Sequence, residues 1–315
     1  MYRLILIDNR DVSTSLLNTD PSFVLYPHSL SEQEVLTRPT APAAWWDEPD
    51  MHILSGRDLL RSEGGTWLAV TKDGRVAVLT NFIDGKSPIG LISRGNMLLS
   101  YLREPRSKST AAFAQQLGTD TTTKDAGGFS LICGKIGEEL AVVSNNKSAL
   151  EDVHWVMGNL GQTVALSNAA FGDKSWPKIR HGEELMATAV EQSHRNRESE
   201  GELIEILLDL LSSDDLPRCS DGSCELNPQN IRSTVMVPLV DWKGLGSKTK
   251  LAREQQEMPG STGRVGVFAT QKQTIVLADY DGRVRFFERT LFDGQARPIA
   301  KGSGDRNLEF HIEKN

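Results

Sequence analysis

The chain has only three cysteines, Cys133, Cys219 and Cys224, in 315 residues. An odd, thinly spread set does not make a disulfide framework. Cys219 and Cys224 have no second pair to complete a zinc site. Long apolar runs are also missing: no window approaches the ~18 to 20 residues a membrane helix needs. The opening run Leu4–Ile7 is too short for the core of a signal peptide. These absences point to the cytosol, or to an organelle reached without a secretory signal. Basic residues are in deficit, 35 against 42 acidic, for a net charge of −7. The densest basic stretch, Arg103 to Lys108, is broken by Glu104 and Pro105 and reads as a solvated loop, so no nucleic-acid partner is expected. Gly244–Thr249 lacks the Gly directly before Lys248 that a phosphate loop requires. The six histidines share no metal-binding spacing, and His181 and His194 read as solvated.

Hydrophobic residues make up 38% of the chain, enough for a substantial core. Hairpins are the clearest local signal. Thr66–Thr71 and Arg75–Asn81 flank Lys72-Asp73-Gly74, and Thr274–Asp279 and Arg283–Glu288 flank Tyr280-Asp281-Gly282. Asp-Gly supplies the positive φ of a tight turn. Phe129–Cys133 and Leu140–Ser144 form a third hairpin around Gly137, and Thr163–Asn168 and Ser233–Val237 read as further strands. Apolar residues of both parities place these strands between covering layers. Helices are expected at Met97–Arg103, Thr110–Leu117, Ile179–Ser193 and Glu202–Ser212. The third carries Ile179, Leu185, Met186, Ala189 and Val190 towards one face. The sequence thus predicts one α+β domain over residues 1–315, built on antiparallel sheets with helices outside them. Irregular segments are expected at Val12–Asp50, Arg218–Arg232 and Asp241–Gly263.

Polar residues recur at strand ends: Asn9-Arg10-Asp11, Gly64-Gly65-Thr66-Trp67, Thr80-Asn81, Ser93-Arg94-Gly95 and Ser167-Asn168. Each can be a turn former; together they can also line one cleft. Their order and spacing resemble the NRDE family, named for Asn-Arg-Asp-Glu after its first apolar strand. Leu79-Thr80-Asn81-Phe82, Leu166-Ser167-Asn168 before Trp176-Pro177-Lys178, and Phe268-Ala269-Thr270 before Thr274–Leu277 extend the resemblance over nearly the whole chain.

The resemblance implies a four-layer αββα sandwich of the N-terminal-nucleophile-hydrolase type. In such enzymes a terminal Cys attacks an amide and its own amine serves as base. It further implies a pocket drawn from Asn9, Arg10, Asp11, Glu34, Thr66, Trp67, Asn81, Ser93, Arg94 and Asn168. Here the residue after Met1 is Tyr2, and a family Arg is replaced by Gln271. The first strand with its Cys is expected to be missing, and no catalytic residue is assigned. The role implied is non-enzymatic: Golgi organisation, protein secretion, haem mobilisation and lipid homeostasis, from the cytosol, mitochondria or Golgi. Haem or lipid would be a transported ligand, with no resident cofactor or metal. The alternative is an amidohydrolase in a form that carries the terminal Cys.

Insertions are expected near 12–33, 218–232 and 241–263. Removing Val12–Gln33 joins Asp11 to Glu34 and restores Asn-Arg-Asp-Glu without a gap. The segment is therefore expected to be absent from the mature protein, as a translated intron; the competing reading is a surface insertion.

Overall fold

A computed structural model describes residues 2–13, 40–47, 49–59, 64–81, 93–120, 123, 126–145, 153–159, 161–218, 220, 229–242, 266–294 and 296–313. Its first strand, β1 (Tyr2–Ser13), divides its side chains by parity. Leu4 and Leu6 join a core shared with Trp67, Leu68, Val70, Val76 and Val78. Ile5 and Ile7 join another with Leu203, Leu207 and Leu211. A strand with two apolar faces needs two covering layers. One is a second sheet and the other a pair of helices.

The first sheet runs β1–β10–β11–β12, with β10 at Gly266–Asp279, β11 at Arg283–Thr290 and β12 at Asp305–His311; β9 (Val240–Trp242) pairs with the far end of β10. The second follows chain order: β2 (Thr40–Trp45), β3 (Ile53–Asp58), β4 (Leu68–Thr71), β5 (Arg75–Asn81), β6 (Phe129–Lys135), β7 (Leu140–Ser144) and β8 (His154–Val156). Every pairing among the described strands is antiparallel. Gly74 and Gly282 turn the two Asp-Gly hairpins at φ +81° and +88°, a region that penalises any side chain.

Helices α1 (Gly95–Leu102) and α2 (Thr110–Thr119) lie on the second sheet, burying Leu98, Leu99, Tyr101 and Phe113 against Ala77, Leu131 and Val143. Helices α3 (Pro177–Asn196) and α4 (Glu200–Leu211) cover the first sheet. Pro177 opens α3, where its missing N–H costs nothing. A Ser199–Glu202 capping box opens α4. The layers therefore run α–β–β–α, the sandwich that the resemblance implied. Val190 departs from the expected face of α3 and is exposed.

Arg75 binds the helical layer to the sheet. Its buried guanidinium donates to the carbonyls of Tyr101 (3.2 Å), Glu104 (2.5 Å) and Pro105 (2.6 Å), satisfying acceptors left open beyond the end of α1. The Arg103–Lys108 stretch is ion-paired: Arg103 with Asp50, Arg106 with Glu313 and Lys108 with Glu104.

Several expectations are corrected. Thr163–Asn168 and Ser233–Val237 are not strands. Side chains take over there: Ala165 N–H donates to Glu183, Thr80 Oγ1 to the Ser167 carbonyl and Asn9 to the Val235 carbonyl. Within the supposedly irregular Val12–Asp50, Thr40–Trp45 is a strand. Pro42 is tolerated there because β2 is the edge of the sheet among the described residues and has a register shift between Ala41 and Ala44. Strands β3, β8, β9 and β12 were not anticipated. Val12 and Ser13 end β1, paired with Ala269 and Phe268; residues 14–33 lie outside the described residues, as do 221–228 and 243–263 within the other two expected insertions, and Gly244–Thr249 with them. Cys219 and Cys224 also lie outside.

Candidate functional site

The inward stripe of β1 changes character along its length. Leu4 and Leu6 are apolar, whereas Asp8 and Arg10 continue the same face. Their partners on β10 follow suit: Ala278 and Val276 oppose Leu4 and Leu6, Thr274 opposes Asp8, and Lys272 opposes Arg10. On β11, Val284 and Phe286 give way to Glu288 opposite Thr274. One end of the inter-sheet space is hydrocarbon and the other is a polar layer.

The second sheet closes this layer with Gly56, Asp58 and Trp67. Arg10 Nη2 donates to Asp58 Oδ2 at 3.1 Å, and the guanidinium lies 4.7 Å above the centre of the Trp67 ring. Deeper in, Lys272 Nζ is 2.9 Å from Glu288 Oε1 and 3.0 Å from the Ala41 carbonyl. Ala43 N–H also donates to Glu288 Oε1, at 2.9 Å. Gly56 permits this approach, since a Cβ there would stand 3.1 Å from Glu288 Oε2 and 3.4 Å from Trp67.

Asp8 is the strained member. Burial pushes its carboxyl up to about 7, against the opposing pull of the Arg10 charge; nearby Asp11 adds to the rise and the Trp67 side chain offsets part of it. Among the described residues, Asp8 Oδ2 and Arg10 Nε are enclosed without hydrogen-bond partners. Unsatisfied buried polar atoms cost stability, and they cluster where a molecule uses them.

Asp11 belongs to a neighbouring group. A bulge shifts the ladder between Arg10 and Asp11, so Gln271 is the extra residue on β10 and Asp11 opposes Thr270. Thr270 Oγ1 donates to Asp11 Oδ1 at 2.5 Å and accepts from Val237 N–H at 2.9 Å. Burial raises the Asp11 carboxyl and lowers the Lys178 amine, while their mutual attraction opposes both shifts. Gln271 accepts from Thr40 Oγ1 at 2.8 Å and donates to the Phe292 carbonyl at 3.3 Å.

The other expected pocket residues make contacts of their own. Asn9 points away, donating to the carbonyls of Leu211 (2.8 Å) and Val235 (3.0 Å), and so fastens the end of α4. Thr66 is buried and donates to the Leu68 carbonyl. Gly65 and Gly95 touch backbone to backbone, which joins the Gly-Gly-Thr-Trp and Ser-Arg-Gly strings; Ser93 Oγ lies beside Gly65. Arg94 donates to the Gly128 carbonyl at 3.4 Å. Asn168 donates to the Asn81 carbonyl at 2.8 Å, fastening its segment to the end of β5. Glu34 lies outside the described residues. Arg10 and Trp67 therefore meet, Asp11 stands beside them, and Asn9 serves the helical layer.

Asp8, Asp58, Lys272 and Glu288 were missed from sequence. Their signal was a polar residue at the same end of several inward apolar stripes, and it is visible only once the strands are registered. Among the described residues, no three His, Cys, Asp or Glu side chains gather as a metal ligand set. Nor is any helix among them long and apolar enough to cross a membrane.

An αββα sandwich with a charged layer at one end of its inter-sheet space defines the class. The chain belongs to the Transport and Golgi organisation 2 family, whose sequence profile matches residues 32–293. It is 26% identical over 306 residues to the human Transport and Golgi organization protein 2 homolog, covering 93% of this chain and 88% of that protein. The mouse homolog is 25% identical over 302 residues, with the same coverage. Among solved structures, penicillin V acylase from Agrobacterium tumefaciens aligns with a TM-score of 0.35 and 13% identity, covering 86% of this chain and 84% of that chain.

Proposed function

We propose that this chain is a non-enzymatic binding protein of the Golgi-organisation type, which carries an acidic small-molecule cargo in the cleft at Arg10. The observation that supports this most is the setting of Arg10. Its guanidinium is held by Asp58 and Trp67, yet its side chain remains 25% exposed. A pre-oriented guanidinium recognises carboxylate or phosphate groups. Haem propionates, fatty acids and lipid headgroups present such groups, in line with roles in haem mobilisation, lipid homeostasis and protein secretion from the cytosol, mitochondria or Golgi. The names of the relatives support the Golgi-organisation part of this reading. The described cysteine, Cys133, is buried against α1 and α2, and burial pushes its thiol up to about 12, so it does not serve as a nucleophile at neutral pH.

Titration with haem, followed by its absorption band, and with laurate, followed calorimetrically, tests the reading. Arg10→Ala is expected to weaken binding at least tenfold while shifting thermal unfolding little. Absence of binding by both ligands, or loss of stability in step with binding, would overturn it. A second reading, amide hydrolysis by a form carrying a terminal Cys ahead of β1, is favoured by the αββα layering. An amidase assay on such a form separates the two.

A further inference from the structure

Asp8 has no counterpart in the motif strings that define the family resemblance, and the cargo-binding reading gives it no role. It nevertheless sits two residues from Arg10 on the same face of β1, where the Arg10 charge acts on its carboxyl. The charged groups around it are Arg10 and Asp11 on β1, Lys272 on β10, Glu288 on β11 and Asp58 on β3; Trp67 and Thr274 complete the enclosure, and Lys178 of α3 stands beyond Asp11. Glu288 is committed to Lys272 and Ala43, and Asp58 to Arg10. Asp8 is the carboxyl of this layer with an enclosed oxygen that has no partner among the described residues.

We propose that the cleft is a proton-coupled carboxylate site: the acid group of the ligand docks on Arg10, and Asp8 takes up a proton as it binds. This deepens the cargo reading and rests on it. Two anions cannot share one guanidinium at close range without mutual repulsion. An arriving carboxylate stabilises the neutral form of Asp8, and by reciprocity a neutral Asp8 strengthens the binding of the carboxylate. The proton comes from solvent and ends on a carboxyl oxygen of Asp8, and no covalent bond forms to the ligand. Unliganded Asp8 titrates near neutrality, at about 7, and bound ligand moves that titration higher. Affinity is therefore greatest below neutrality, falls as pH rises above it, and levels off once Asp8 is ionised in the complex.

Trifluoroacetate is a suitable probe, because it stays ionised throughout and its fluorine signal reports binding directly. Between pH 6.5 and 9 its affinity for the full chain is expected to fall by roughly fivefold or more. Asp8→Asn, which mimics the protonated acid, should bind with the wild-type affinity of pH 6.5 at every pH. Asp8→Ala serves the same purpose should the Asn variant not fold. Arg10→Gln should abolish binding at all pH values. A flat profile for the wild type, a slope surviving in both Asp8 variants, or binding that ignores Arg10→Gln would overturn the proposal. Competition by haem and by laurate in separate arms identifies which carboxylate the cleft prefers. If neither competes while the slope and its Asp8 dependence persist, haem and fatty acid fail as the cargo and the proton-coupled carboxylate site stands.

Discussion

Lys272 and Glu288 form an ion pair at 2.9 Å with both side chains 1% exposed, deep between the two sheets. Neither charge reaches water, and each also meets β2, through the Ala41 carbonyl and the Ala43 N–H. Burial lowers the Lys272 amine, and Glu288 opposes that shift. Such a pair is costly to assemble and costlier to break in half.

Lys272→Met alone should therefore destabilise by about 3–5 kcal/mol, because it strands the Glu288 charge. Adding Glu288→Gln removes that charge and should recover a large part of the loss. Denaturant unfolding of the two single variants and the double variant checks this, and additive losses would show that the pair is not coupled.

Asp8 should give folding an unusual pH profile. Its carboxyl is raised from 3.8 to about 7 by burial, so the folded state holds the proton more tightly than the unfolded chain. The stabilisation is complete below the unfolded value and is lost as pH rises through about 7, at up to roughly 1.4 kcal/mol per unit. Asp8→Asn should match the wild type near pH 4 and exceed it at pH 8. Unfolding midpoints at the two pH values decide it.

Glu200 should have the opposite sign. Burial raises its carboxyl, but Arg283, Arg285 and Tyr2 overcome this and hold it at about 2. Its contribution is present above the usual carboxylate range and fades as pH falls towards 2. Glu200→Gln is expected to cost about 2 kcal/mol at pH 7 and little at pH 2.5, read from the same unfolding curves.

The contact between Gly65 and Gly95 allows a paired test. A Cβ on Gly95 would lie 3.0 Å from Gly65 Cα and from Thr66 N, so Gly95→Ala should destabilise by about 1–3 kcal/mol. A Cβ on Gly201, in α4, meets nothing within 4 Å, so Gly201→Ala should stabilise by up to about 1 kcal/mol. Thermal unfolding of both variants measures the contrast.

Much of the architecture was legible because parity and turn chemistry are local. Asp-Gly placed two hairpins, and the apolar stripes of α3 and α4 placed the helices. Edge strands were harder. Pro42 argued against β2 until the register shift and its edge position accounted for it. Thr163–Asn168 had the residues of a strand but lies where side chains from β5 and α3 satisfy its backbone. At the site, Arg10 and Trp67 could be nominated from their strings, whereas their contact could not. Asn9 and Arg10 are neighbours in sequence, and the pleat sends them to opposite layers. Lys272 and Glu288 lie 16 residues apart across a hairpin, and only the register brings them together.

The bulge at Gln271 has a mechanical consequence. Because one residue is extra, Gln271 and Lys272 both reach β2, through Thr40 and Ala41, although strict alternation would send one of them to the helices. Strand β2 belongs to one sheet by its ladder and to the other through these side chains and Glu288. That corner of the sandwich is riveted. Any parting of the two sheets has to pivot about it and widen with distance from β2, with the Lys272–Glu288 pair as the fulcrum.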